Sequence, residues 1–179
     1  GVLEVLYAGN LGEGQGLHAI IPYIAKRMNK SVRFKVIGDG GRKKALKLAL
    51  SKHSVVNVEI LPPMSRSQLL LAYQKADVLF LHLNNYQAFE KVLPSKLFEY
   101  GATGKPIWAG VSGYARKFIK ENISNAAIFS PCNVNEALDS FMSLKIETQP
   151  RDAFVKKFSR TKIMKNMAKD IVDLARAKN

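Results

Sequence analysis

The chain has 179 residues, 47% of them hydrophobic and 23% charged, the profile of one globular domain long enough to bury a substantial core. No window approaches the roughly 18 apolar residues that cross a bilayer, nothing at the start reads as a secretory leader, and a single cysteine, Cys132, leaves no disulfide framework and no Cys/His metal cluster. A formal net charge of +14, from 28 basic and 14 acidic residues, implies an anionic partner and leaves nucleic acid, phosphorylated metabolites and anionic membrane open.

Leu3 to Ala8 reads as a strand and runs directly into a glycine-rich loop, residues 9 to 16. Leu17, Ile20, Ile21, Ile24, Ala25 and Met28 then recur at helical spacing, which predicts one helix over 17–28. Val32 to Ile37 is a second strand stopping at Gly38-Asp39-Gly40-Gly41, followed by a helix from about Arg42 to Ser51. Val56 to Leu61 is a third strand, ended by Pro62-Pro63, and Ser65 caps a helix carrying Leu69, Leu70 and Tyr73. Asp77 to Leu83 is the fourth strand, and residues 84 to 95 read as a polar loop. Ile107 to Ala109 and Ala127 to Phe129 are short fifth and sixth strands, with a helix from about Tyr114 to Glu121 between them. Helices over Asn135–Leu144, Arg151–Phe158 and Thr161 to about Ala177 complete the chain. Six apolar strands alternating with helices predict an α/β domain with a doubly wound, six-stranded parallel, Rossmann-like sheet. Ligands of such sheets sit outside the carboxyl ends of the strands, where strand order reverses.

The stretch L-P-S-K-L-F-E-Y-G-A-T-G-K-P, residues 93 to 106, carries the strongest local signal. Pro94 is placed as the first helical residue, where no amide donor is lost. The amides of Ser95 and Lys96, the positive helix end and the two side chains then form an anion site. Glu99 lies one turn further in on the same face, a carboxylate placed to accept hydroxyl hydrogen bonds. A nucleoside diphosphate offers both groups in that arrangement.

Other chemistry finds less support. Gly9, Gly12, Gly14 and Gly16 do not meet the G-x-G-x-x-G dinucleotide spacing, although Asp39 stands where an NAD enzyme keeps its ribose-binding acid. Pro106 follows Gly104-Lys105 where a phosphate-loop NTPase needs serine or threonine. His18, His53 and His82 have no nucleophile at an elbow; His82 is the one near the site, and a structural role is expected for it. Cys132, Trp108, Phe80, Phe89, Phe98 and Tyr100 read as packing residues. The basic clusters at 42–44, 156–157 and 160–169 lack interleaved aromatics. An NAD-dependent enzyme and a charge-driven nucleic-acid-binding module remain as alternatives.

Four motifs in order carry a family resemblance: Y-A-G-N-L-G-x-x-Q-G-L at 7–17, V-I-G-D-G-x-x-K at 36–43, I-L-P-P-M-S at 60–65 and P-S-K-L-F-E-Y-x-A-x-G-K-P-I at 94–107. Together they resemble the donor-nucleotide half of a glycosyltransferase of family 4 and the B fold, in the branch that builds bacterial surface polysaccharides such as O-antigen and capsule. The resemblance implies one nucleotide-sugar-binding domain over 1–179, with residues 151–179 as C-terminal helices and an acceptor-binding N-terminal half outside this chain. It implies retaining transfer from a nucleoside diphosphate sugar, uridine ahead of guanosine, without a required metal and without nucleic acid. The acceptor is expected to be lipid-linked and the enzyme cytoplasmic, on the inner face of the plasma membrane. Carried over by motif, Glu99 binds the ribose, Pro94, Ser95 and Lys96 meet the diphosphate, Gly9, Asn10 and Gly12 pass close to it, and Met64 with Pro63 lies against the base. The first glutamate of the family's E-x7-E pair falls at Lys91, with Glu90 one residue early; Asn10 and Gln15 stand where many relatives place arginine and lysine. Neutralisation of the diphosphate then falls to Lys96, Lys91 or Arg42.

Overall fold

The computed structural model describes residues 1–161. Six parallel strands, β1 (Leu3–Ala8), β2 (Val32–Ile37), β3 (Val58–Leu61), β4 (Val78–His82), β5 (Ile107–Gly110) and β6 (Ala126–Phe129), form one sheet in the order β3-β2-β1-β4-β5-β6. The helices are α1 (Ile21–Arg27), α2 (Lys43–Lys52), α3 (Arg66–Lys75), α4 (Lys96–Ala102), α5 (Gly113–Asn122), α6 (Val134–Phe141) and α7 (Asp152–Phe158). The helix predicted from Thr161 to Ala177 lies, beyond its first residue, outside the described residues.

The strands read as continuous apolar runs because both sheet faces are covered. Phe34, Phe80, Trp108 and Phe129 point to one side, against Ile21 and Ile24 of α1, Leu46 and Leu50 of α2 and Phe141 of α6. Leu6, Leu79, Leu81 and Ile107 point to the other, against Leu70 and Tyr73 of α3, Leu97 and Tyr100 of α4, Ile119 of α5 and Phe154 of α7. Trp108 is fully buried, and its indole N–H donates to the Ala137 carbonyl at 3.1 Å, so the large ring leaves no unsatisfied donor.

Several boundaries differ from the sequence expectation. The helix expected over 17–28 is a 3-10 turn at Leu17–Ala19 followed by α1, because Pro22 cannot donate to a preceding turn and Ile20 leaves helical geometry with φ −131°. The third strand starts at Val58, not Val56. Val56 is 89% exposed, and the Asn57 side-chain amide is held by the carbonyls of Ala25 and Val32 at 3.0 and 2.9 Å. The loop after β4 contains an unpredicted 3-10 turn at Gln87–Lys91. The cap at Ser65 forms as expected, with Gln68 completing a capping box.

Arg151 precedes α7, is 5% exposed and has no carboxylate partner among the described residues. Its guanidinium donates to the carbonyls of Ser124, Gly101 and Lys105 at 2.9, 3.1 and 2.8 Å, which ties the end of α4 to the start of β6. Burial pulls its pKa down to about 10, and the cation persists at neutral pH.

Candidate functional site

β1 pairs with β2 over six residues but with β4 only through Val5↔Val78 and Leu6↔Leu79. The chain order reverses between β1 and β4, so the sheet opens a crevice at the position where open α/β sheets bind ligands. Tyr100 of α4 closes the floor of that opening. Its hydroxyl accepts the Ala8 amide at 3.3 Å and donates to the Phe80 carbonyl at 3.1 Å, and burial pushes its pKa well above the usual phenol value.

A cleft of about 320 Å³ opens beside this seam, at the carboxyl ends of β1, β2 and β3, lined by Ala8, Gly9, Asn10, Gly38, Met64 and Lys96 among others. The two loops that form its wall are in backbone contact. A Cβ on Gly38 would stand 1.8 Å from the Gly9 carbonyl oxygen, so only glycine lets β2 finish this close to β1. Pro63 and Leu69 give the far side an apolar surface, and Asp39 supplies a carboxylate at the rim.

Glu99, one turn along α4 from the cleft-lining Lys96, is a buried acid, 5% exposed. Its Oε2 accepts from the Tyr73 hydroxyl and from Lys96 Nζ, both at 2.9 Å, and its Oε1 accepts from the Arg66 guanidinium. Burial raises its pKa, but the Lys96 ammonium, the Arg66 guanidinium and the hydrogen bonds outweigh it, so the carboxyl lies below the usual carboxylate range. Burial first, then Tyr100 and the same carboxylate, push the Tyr73 phenol up.

The helix start departs from the expected one. α4 begins at Lys96 and Ser95 is its N-cap, so Pro94 stands two residues before the helix instead of at its first position. Ser95 already has αR geometry, and the carbonyls of Pro94 and Ser95 accept i+3 bonds from Leu97 and Phe98, a tight first turn set before the α ladder begins. The Ser95 and Lys96 amides donate to no acceptor among the described residues.

Of the residues singled out from sequence, Gly9, Asn10, Met64 and Lys96 line the one cleft, and Glu99 joins it through its ion pair with Lys96. Gly12, Pro94 and Ser95 fall outside its lining, and Lys91 is exposed in the 3-10 turn. Arg42 pairs with Glu13, whose carboxylate also takes the Tyr86 hydroxyl. Gln15 Oε1 accepts from Asn10 Nδ2 and from the Gly12 amide, which folds the first loop back on itself. Sequence reasoning gave Tyr73 to the core and overlooked Arg66, and both touch Glu99. The capping motif at Ser65 was the available signal for Arg66, since it fixes where α3 starts.

His82 is structural, as its place in the sequence suggested. It is 1% exposed; its Nδ1–H donates to the Gln15 carbonyl at 2.7 Å and its Nε2 accepts the Cys132 amide at 2.9 Å. Burial pulls its pKa down to about 4, so it bridges the first loop and the loop after β6 as a neutral ring. Cys132 adopts φ 63° and its thiol donates to Asn84 Oδ1 at 3.3 Å. Among the described residues no group of three His, Cys, Asp or Glu side chains is placed to hold a metal ion.

The order β3-β2-β1-β4-β5-β6, reversing between β1 and β4, defines a doubly wound, Rossmann-like α/β domain. Residues 2–161 match the family described as "Glycosyl transferases group 1", and the chain belongs to it. A putative colanic acid biosynthesis glycosyl transferase, WcaI of Escherichia coli K12, is 31% identical over 100 residues, which are 56% of this chain and 24% of that protein. Among solved structures, HepE of Anabaena in complex with UDP-glucose superposes with a TM-score of 0.67 at 15% identity, over 96% of this chain and 49% of that one. Staphylococcus aureus TarM, in a complex that includes UDP, gives 0.68 at 14% identity, over 96% of this chain and 35% of that one. These two likenesses establish the fold. The chain thus corresponds to about a quarter of WcaI and to half or less of HepE and TarM.

Proposed function

We propose that this chain is the donor half of a retaining glycosyltransferase of family 4 and the B fold that builds a bacterial surface polysaccharide from a nucleoside diphosphate sugar, with uridine favoured over guanosine. The observation that carries the reading is Glu99, an ionised carboxylate buried behind the cleft-lining Lys96 and held by Tyr73, Lys96 and Arg66. Burying an acid costs free energy that a capping role does not require, since α4 already starts without any side-chain cap bond.

Donor binding exchanges partners at this carboxylate. Lys96 turns from Glu99 to the diphosphate, whose charge also meets the open amides of Ser95 and Lys96 and the backbone of Gly9 to Gly12. The ribose hydroxyls take the place Lys96 leaves on Glu99, and the base lies against Pro63 and Met64. Arg42 joins the phosphates after releasing Glu13, and Lys91 approaches from the loop side. Neutralisation by these groups assigns no step to a metal. Transfer itself needs an acceptor-binding half, so the chain alone binds donor without turnover. The acceptor assigned to the complete enzyme is lipid-linked, at the cytoplasmic face of the membrane.

Calorimetric titration of UDP, GDP and inorganic pyrophosphate tests this reading. UDP should saturate one site. Glu99→Gln should weaken it by roughly 10- to 100-fold, the worth of hydrogen bonds to a charged acceptor, while pyrophosphate binds as well or better because Lys96 is released. Absence of saturable binding by either nucleotide overturns the proposal, and equal losses for UDP and pyrophosphate remove Glu99 from the ribose.

A further inference from the structure

From Gly14 to Val58 the sequence carries ten lysines and arginines against one acid, Asp39, which lines the cleft. Arg33 and Lys35 pair with Glu4, and Arg42 with Glu13. No carboxylate among the described residues pairs with the other seven, which belong to α1, α2 and the turn after α1. The outer face of α2 is a stripe of Lys44, Leu48 and Lys52 at i, i+4 and i+8, with Lys47 beside it. Leu48 is 70% exposed in the middle of that stripe, and Val56, just beyond the helix, is 89% exposed. Tyr23 of α1 extends the surface: its ring packs edge-on against His53 at 5.1 Å, and Lys26 Nζ donates to the His53 carbonyl at 2.7 Å, which locks α1 to the end of α2.

The placement of charge along α2 works against the helix. Arg42, Lys43 and Lys44 crowd its N-terminus, where the backbone dipole is positive, and no acid occupies the first turn. Cations there destabilise a helix; Arg42 is offset by Glu13, while Lys43 and Lys44 are not explained by the stability of α2.

From this we infer that the α1–α2 face docks on an anionic lipid bilayer. Lysine ammonium groups attract the headgroup layer while Leu48 and Val56, bare between them, enter the acyl boundary; this is the composition of an interfacial basic helix. A phosphate-backbone reader fits less well. Six of the seven cations are lysines and one is Arg27, the exposed Tyr23 is already packed edge-on against His53, and an aliphatic side chain stands at the centre of the α2 stripe. Lys44, Lys47, Leu48 and Lys52 do not line the cleft, so the inference is independent of donor binding.

Vesicle sedimentation of the full 179-residue chain tests it, with phosphatidylcholine vesicles against vesicles containing 30% phosphatidylglycerol at about 0.1 M salt. The chain should bind the anionic vesicles alone. Neutralising three lysines (K44Q/K47Q/K52Q) should weaken that binding about 100-fold, at roughly fivefold per charge, and Leu48→Ser should weaken it several-fold with all charges kept. An unchanged circular dichroism spectrum for each variant shows that the fold survives. Equal binding to neutral vesicles, or undiminished binding by the triple variant, overturns the inference. Retention of duplex DNA at the same salt together with a neutral Leu48→Ser also overturns it and makes the face a polyanion reader. Vesicle binding by a chain that ignores UDP would leave this inference standing while the donor reading falls.

Discussion

Lowering the pH from 8 to 5 should loosen the fold through His82. The ring donates to Gln15 through Nδ1 and accepts from the Cys132 amide through Nε2, so a second proton on Nε2 would face another donor in a dry site. Its pKa falls from 6.5 to about 4 on folding. Between those values the unfolded chain binds the extra proton and the native chain does not. The stability linked to His82 is therefore complete above about pH 6.5 and is lost as pH falls toward 4. At pH 5 the loss comes to about 2 kcal/mol, a shift of about 1 M in the urea midpoint for a chain of this size. Urea unfolding followed by tryptophan fluorescence at pH 8, 6.5 and 5 measures it. His82→Gln should be weaker at pH 8 by about 1–3 kcal/mol, the cost of the buried hydrogen bonds, and should change less between pH 8 and 5 than the parent. An equal drop in the two proteins over that interval would refute the assignment of the linkage to His82.

Gly38→Ala should be severely destabilising and should abolish UDP binding, because the new methyl group collides with the Gly9 carbonyl and pushes the first loop out of the cleft; soluble yield, melting temperature and calorimetry read both effects. Arg151→Met removes the donor to the buried Gly101 carbonyl and to the carbonyls of Lys105 and Ser124 and should cost about 1–3 kcal/mol, lowering the melting temperature by roughly 5 °C. Arg151→Lys should recover little of that loss, since one ammonium cannot span the fork. Tyr100→Phe should cost about 1–3 kcal/mol by stranding the Ala8 amide and the Phe80 carbonyl; a melting curve within 1 °C of the parent would show that water replaces the phenol.

Most of the fold was legible because its signals are local. β4 is buried at all five positions, so its apolar run needs no tertiary information to be seen. Ser65 announces α3 through a capping box confined to four residues. The errors arose where a single side chain overrode the period: Pro22 inside an otherwise helical pattern, and Asn57 drawn away to α1 and β2. The PSKLFE stretch was legible as a helix start, although α4 begins two residues past Pro94. What surrounds Glu99 was not, because Tyr73 is 26 residues away and reads as an ordinary apolar position of α3. The His82 bridge is more distant still, spanning 67 residues to Gln15 and 50 to Cys132. Arg151 gave no sign at all, for a guanidinium held only by main-chain oxygens leaves no complementary acid to find in the sequence.

The short union of β1 and β4 also makes one proton a reporter. The Ala8 N–H would ordinarily be locked by a neighbouring strand, yet here a phenol from α4 is its guard. Deuterium reaches that nitrogen only when α4 lifts from the sheet, so its exchange rate times the undocking of the very segment that carries Lys96 and Glu99.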